Sequence, residues 1–176
     1  EGQTIIVTGG GSGIGRCTAH ELAALGAKVA LVGRKPEKLE KVREEIAAAG
    51  GAATTHACDI RDEDQVLATV EAVLATHCRE KPVKRIIVTH CHPDHLGLAR
   101  WLGDKLGVGI WITQGEMLNA YAWFHQLPNF DVDGMVGFFR RHGLDPARAD
   151  TLFNRGPTYR GRVDGLPTEY RRLIED

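Results

Sequence analysis

The stretch Gly9-Gly10-Gly11-Ser12-Gly13-Ile14-Gly15 constrains this chain more than any other. Before it runs Thr4–Thr8, a short apolar β-type segment. After it, Ile14 to Leu25 has helical periodicity, with Ile14, Thr18, Leu22 and Leu25 predicted on the inward face and Gly26 as the stop. A strand, a glycine-rich turn and a helix in that order make a phosphate-binding turn. Gly9 permits the sharp turn, Gly13 lets backbone approach a pyrophosphate, and Gly15 lets helix and strand pack closely. The free N–H groups at the helix start then face an anion, with the helix dipole behind them.

Strand and helix patterns keep alternating to about residue 115. Lys28–Val32 predicts a second strand. Pro36 opens a second helix with Leu39, Val42, Ile46 and Ala49 on one side, ended by Gly50-Gly51. Ala52–Ala57 predicts a third strand and Asp62 to His77 a third helix with Val66, Val70, Val73 and Leu74 inward. Arg85–Thr89 predicts a fourth strand, Asp94 to Leu106 one helix using Leu98, Leu102 and Leu106, and Val108–Thr113 a fifth strand. Crossovers of this length imply parallel strands covered on both faces. The expected architecture is a three-layer α/β/α Rossmann-like sheet of about five strands, order 3-2-1-4-5, with a C-terminal helical extension. Residues 1–114 would form the α/β domain, with a seam near 78–84, and 115–176 the extension. In that extension Met117, Tyr121 and Phe124, then Val132, Met135, Val136 and Phe139, have helical spacing. Asp145-Pro146 starts a further helix, Arg155–Gly165 reads as loop, and Pro167–Ile174 as a last short helix.

The end of the second strand discriminates between dinucleotides. An acidic residue there would hold the ribose hydroxyls of NAD, whereas the chain has Gly33-Arg34-Lys35. Two cations suit the 2′-phosphate of NADP, so NAD is the less favoured cofactor; the alternative is a solvated loop. Asp59, just past the third strand, could reach an adenine amino group or cap the following helix. These pieces, with Cys58-Asp59-Ile60, resemble the short-chain dehydrogenase/reductase family over roughly residues 1–78. The resemblance implies cofactor contacts from Gly9, Ser12, Gly13, Ile14, Gly15, Arg34, Lys35, Asp59 and Ile60. It stops at the fourth strand: the family's Asn-Asn-Ala-Gly is absent. Tyr121, Tyr159 and Tyr170 are followed four residues later by His125, Val163 and Ile174, not by the lysine of a Tyr-x-x-x-Lys pair.

The other dense motif is His90-Cys91-His92-Pro93-Asp94-His95. In extended chain, residues two apart project to one side, so His90 and His92 can converge, while Pro93 and Asp94 open a helix. Imidazoles with a carboxylate suit zinc or iron. The motif and its surroundings resemble the metallo-β-lactamase superfamily from about Pro82 onward. The resemblance implies that His90 and His92 hold one metal, and Asp94 and His95 a second. The family's later Gly-His-x-x-Gly-His-type turn, bridging aspartate and final histidine have no counterpart here. His125 and His142 match none of them.

Bulk properties exclude several classes. The 176 residues carry a net charge of −1, which gives no electrostatic footprint for nucleic acid. No apolar run reaches the roughly 20 residues of a membrane helix. The four cysteines form no C-x-x-C pair, so a disulfide framework is not expected and a reducing cytoplasm fits. Their default role is as small buried hydrophobes, with Cys91 placed to be an adventitious ligand. The start at Glu1 enters a strand at once, with no secretory leader pattern. Both parental catalytic sets are incomplete and meet at element boundaries. The expectation is an engineered recombinant chimera that keeps NADP(H) affinity without proficient catalysis. The alternatives are a metal-dependent hydrolase and an NADP-dependent oxidoreductase.

Overall fold

A computed structural model describes residues 2–78, 82–153 and 159–173. The chain divides into two compact units, residues 1–82 and 83–176, and each is described by itself. Both are Rossmann-like α/β, with parallel strands and flanking helices.

The first unit runs β1 (Thr4–Thr8), α1 (Gly13–Ala24), β2 (Lys28–Gly33), α2 (Pro36–Ala48), β3 (Ala52–Ala57) and α3 (Glu63–Val73), extended by a π-helical turn, Leu74–Cys78. The sheet order is β1-β2-β3, all parallel, with Ile6 opposite Ala30 and Ala30 opposite Thr54. Central β2 is buried on both faces, as a parallel strand must be: Val29 and Leu31 point one way, Ala30 and Val32 the other. Leu39, Val42 and Ile46 of α2 close over Val29 and Leu31 as the pattern predicts, while Ala49 ends up exposed. In α3, Val70 and Val73 are buried.

Helix α1 corrects the expected inward face. Ile14 is 82% and Leu25 78% exposed, and the residues against the sheet are Ala19 and Ala23, with Leu22 half-buried. The cause is the close approach at the start of the helix. A Cβ on Gly15 would lie 2.4 Å from the Gly9 carbonyl oxygen. Only the small stripe Gly15, Ala19, Ala23 fits a helix held that near, so the larger apolar side chains rotate outward.

The second unit contains β4 (Ile86–Ile87), α4 (Pro93–Leu96), α5 (Ala99–Leu106), β5 (Ile110–Ile112), α6 (Gln114–Phe124), α7 (Val132–Arg141), α8 (Pro146–Phe153), a 3-10 turn (Tyr159–Arg162) and β6 (Tyr170–Arg172). Its sheet order is β4-β5-β6, again parallel. Two expectations change here. The 3-2-1 neighbours of the expected order are present in the first unit and the 4-5 neighbours in the second, each in a three-stranded parallel sheet. Strand β4 offers only two paired residues, and both pair with β5. The predicted last helix is instead a strand, because residues 170–172 satisfy the free edge of β5. The single helix from Asp94 to Leu106 breaks at Gly97-Leu98. There the Gly97 carbonyl accepts from the Asp164 N–H at 2.9 Å, which stitches the break to the later chain.

Small residues again line the core: Ala99 and Gly103 of α5 are buried, while Leu102 and Leu106 are half-buried. Ala99 joins Val88, Cys91, Leu96, Ile110, Ile112, Met117 and Ala120 in the second cluster. Of the residues at helical spacing, Tyr121 and Phe139 are 50% and 42% exposed. Residues 79–81 of the expected seam, 155–158 of the expected loop and Ile174 lie outside the described residues.

Candidate functional site

The glycine turn is built from β1, β2 and α1 together. Gly9 and Gly13 have φ of +70° and +54°, a region glycine enters without Cβ strain. The Gly10 N–H donates to the Val32 carbonyl of β2 at 3.2 Å, which pins the turn to the carboxyl end of the sheet. Nothing lies within 4 Å of a Cβ placed on Gly9 or Gly13, so open space stands over both. Ser12 is the N-cap of α1, yet its side chain caps nothing, and the first turn has no acidic residue. The first intrahelical donor is Arg16, whose N–H reaches the Ser12 carbonyl at 3.2 Å. The leading N–H groups of Gly13, Ile14 and Gly15 therefore carry the positive end of the helix toward solvent. Arg16 is not part of this field, because its guanidinium pairs with Glu45 of α2 at 2.8 Å.

Arg34 and Lys35 follow β2 and are exposed; Lys35 is the N-cap of α2. Cys58 donates its N–H to the Gly33 carbonyl at 3.0 Å, so the residues after β2 and β3 stay side by side. Asp59 is thereby brought near Arg34, but its carboxylate is engaged by Arg61, with Nε 2.9 Å from Oδ1. That bonding, with a smaller contribution from Arg34, holds the Asp59 carboxyl down at about 2. The residue that caps α3 is Asp62, which accepts from the Gln65 N–H at 3.1 Å. The capping alternative for Asp59 is thus taken by its neighbour. Ile60, beside it, is half-buried.

The histidine loop follows β4 in the second unit. Thr89 Oγ1 lies 3.0 Å from His90 Nδ1 and 3.4 Å from His95 Nδ1. The His90 ring is 4.0 Å from the His95 ring and 4.7 Å from the His92 ring, centroid to centroid. Asp94 Oδ2 is 3.6 Å from His95 Nε2. Burial, then the neighbouring imidazoles, lower the His95 pKa.

The expected metal donors cluster, but they do not fit a metal as they stand. Among the described residues, no three His, Cys, Asp or Glu side chains are placed to share an ion. The His90 and His95 rings lie against each other, tilted by 43°, and turn Nδ1 to the same hydroxyl, while Asp94 is spent on His95. His92 is the N-cap of α4, exposed to solvent.

Two residues behind this loop were missed in the sequence. Glu116 of α6 accepts from the Cys91 N–H at 2.8 Å, and that bond chiefly lowers its pKa. Burial first, then Glu116, pushes the Cys91 thiol up to about 11, so it is protonated near neutral pH. The Tyr159 hydroxyl donates to the Cys91 carbonyl, and burial raises its pKa. The available clue to Glu116 was Thr113-Gln114-Gly115-Glu116, a capping-box pattern. Thr113 does cap α6, accepting from the Glu116 N–H at 3.4 Å, while the glutamate side chain reaches across to Cys91 instead. Nothing in the sequence marked Tyr159.

Known proteins match the two parts separately. A short chain dehydrogenase model matches residues 3–87, and a metallo-beta-lactamase superfamily model matches residues 67–170. The chain belongs to the metallo-beta-lactamase superfamily, whose match spans more than half of it, and its amino-terminal part is similar to short chain dehydrogenases. A 2,5-dichloro-2,5-cyclohexadiene-1,4-diol dehydrogenase of Sphingobium indicum is 51% identical over 74 residues, 42% of this chain and 28% of that one. A short chain dehydrogenase of Pseudocercospora fijiensis is 43% identical over 77 residues, 42% of this chain and 25% of that one. The matched segment therefore spans only about a quarter of these dehydrogenases. Among solved structures, the citronellol catabolism dehydrogenase of Pseudomonas aeruginosa PAO1 is 34% identical. It covers 85% of this chain and 70% of its own, with a TM-score of 0.53. A metagenomic short-chain oxidoreductase solved with NADP shares the fold at 24% identity and TM-score 0.51, over 64% of this chain and 81% of that one. No helix among the described residues is long and apolar enough to cross a membrane.

Proposed function

We propose that the first unit of this dehydrogenase–lactamase hybrid binds a nicotinamide dinucleotide, NADP(H) in preference to NAD(H). The observation that carries this is the open, uncapped start of α1 over the Gly9 and Gly13 turn, with no acidic side chain in its first turn. Gly9, Ser12, Gly13, Ile14 and Gly15 present backbone to the pyrophosphate. Arg34 and Lys35 face the 2′-phosphate, and Asp59 with Ile60 borders the adenine. The solved relative holding NADP and the match to short chain dehydrogenases support the same reading. When bound, the cofactor would supply hydride from its nicotinamide ring.

The chain's role in this reading is binding. No tyrosine in these 176 residues has a lysine four positions later, and the Tyr159 hydroxyl is already committed to the Cys91 carbonyl. The names of the relatives favour the oxidoreductase reading as second choice. NADPH oxidation against a panel of aldehydes and ketones separates the two. The hydrolase reading has no assembled metal chelate behind it among the described residues.

The test is titration of the full chain with NADPH and with NADH, followed by cofactor fluorescence. Saturable binding that favours NADPH is expected. Arg34→Gln should remove most of that preference, about tenfold, the size of a lost charge-assisted hydrogen bond. Gly13→Asp should abolish binding of both. Failure of the folded wild-type chain to bind either cofactor would refute the proposal.

A further inference from the structure

A cationic cleft lies at the amino ends of β4 and β5, the opposite end of β4 from the histidine loop. Its volume is about 370 Å³, and its lining includes Lys84, Arg85, Gly107, Gly109, Trp111 and Arg171. That volume falls within the roughly 300–1,000 Å³ of small-molecule sites. The sheet register explains the grouping. Ile87 pairs with Trp111 and Trp111 with Arg171, so these side chains share one face, and Arg85 is two residues before Ile87 on that face. The face is open: Ile87 is 58% exposed.

Trp111 organises the two guanidinium groups. Arg85 Cζ is 4.8 Å and Arg171 Cζ 5.7 Å from the indole centroid. Stacking on an aromatic ring restrains a guanidinium and leaves its N–H edge for an oxyanion. No acidic side chain lines the cleft, and among the described residues neither arginine nor Lys84 has a carboxylate partner. Three like charges this close raise one another's energy unless an anion joins them. The carbonyl end of α5 at Gly107 offsets only about half a charge. Gly107 and Gly109 leave free space where side chains would otherwise fill the floor.

We propose that this cleft is a binding site for a small diphosphate-class oxyanion. Arg85 and Arg171 flank β5 from either side, two strand spacings or roughly 10 Å apart at the backbone. Each guanidinium takes one phosphoryl group through its N–H fork, and Lys84 adds a point charge. Every lining residue belongs to the second unit, so the glycine turn contributes none of them.

The probe is inorganic pyrophosphate, added to the full-length chain at constant ionic strength. The readout is the indole N–H resonance of Trp111, assigned with Trp111→Phe. A saturable shift is expected, weakened at least tenfold in Arg85→Gln and in Arg171→Gln, and weaker with orthophosphate. Gly13→Asp should leave it unchanged, which separates the cleft from the glycine turn. Circular dichroism checks that each variant is folded. The proposal is overturned if the Trp111 resonance stays still, shifts in either arginine variant as it does in the parent chain, or responds the same way to sodium chloride at matched ionic strength.

Discussion

Gly15→Ala tests the reasoning behind the glycine turn directly. The new Cβ would meet the Gly9 carbonyl oxygen at 2.4 Å, the Gly9 carbonyl carbon at 2.7 Å and the Gly10 nitrogen at 3.1 Å. Reaching even 3.0 Å from the oxygen requires the turn and α1 to separate by about 0.6 Å. All three neighbours are backbone atoms, so no side-chain rotation relieves the contact. Overpacking of this kind costs ~1–3 kcal/mol. Helix propensity works the other way, since alanine is better than glycine by up to about 1 kcal/mol. With rigid backbone on both sides the upper end of the first range applies, and the net loss should be about 2 kcal/mol. Gly115→Ala is the matched control. It also lies in the first turn of a helix, but nothing is within 4 Å of its Cβ position, so it should stabilise slightly. Urea unfolding by far-ultraviolet circular dichroism measures both, and NADPH titration measures the turn. Because the displaced N–H groups are those proposed to hold the pyrophosphate, Gly15→Ala should weaken NADPH at least tenfold. If Gly15→Ala were as stable as Gly115→Ala and bound NADPH like the parent chain, the close-approach argument would be wrong.

Other consequences concern titration and anchoring. The Asp59 carboxyl is held near 2 in the folded chain, against roughly 3.9 unfolded. Its contribution is therefore complete above about pH 4 and is lost as pH falls toward 2, so Asp59→Asn should flatten the stability profile across that window. His56 shares the Thr54 hydroxyl with His77, at 3.0 and 3.2 Å, and burial lowers its pKa. A histidine kept neutral by folding contributes fully above about pH 6.5 and loses that contribution on acidification. Melting temperatures at pH 7.5 and 5.5 should differ less in His56→Gln than in the parent. Glu116→Ala removes the acceptor of the Cys91 N–H. It should cost roughly 1–3 kcal/mol and accelerate amide hydrogen exchange at Cys91, while an unchanged exchange rate would show that Tyr159 alone holds the loop.

The amino-acid sequence by itself determined the local architecture of the first unit. Strand, glycine turn and helix follow from patterns a few residues long: Gly9 and Gly13 where φ is positive, Pro36 at a helix start, Leu39, Val42 and Ile46 at helical spacing. Those signals depend on backbone stereochemistry and periodicity, which act within one element. It also carried the likeness to two families, because Gly9 to Gly15 and His90 to His95 are short contiguous motifs.

Which side of a helix is buried was decided by tertiary structure. Hydrophobicity favoured Ile14 and Leu25, but the distance between α1 and the turn admitted only Gly15, Ala19 and Ala23. Strand pairing was likewise beyond local reading. Residues 170–172 have little strand character of their own and become β6 because β5 offers unpaired backbone groups. The same holds at the histidine loop. Spacing placed four donors together, and only the folded structure decided that His90 and His95 share the Thr89 hydroxyl, that Asp94 faces His95, and that Glu116 and Tyr159 hold the Cys91 backbone between them. Hydrogen-bond partners from distant parts of the chain compete for these groups, and no pattern within six residues encodes that competition.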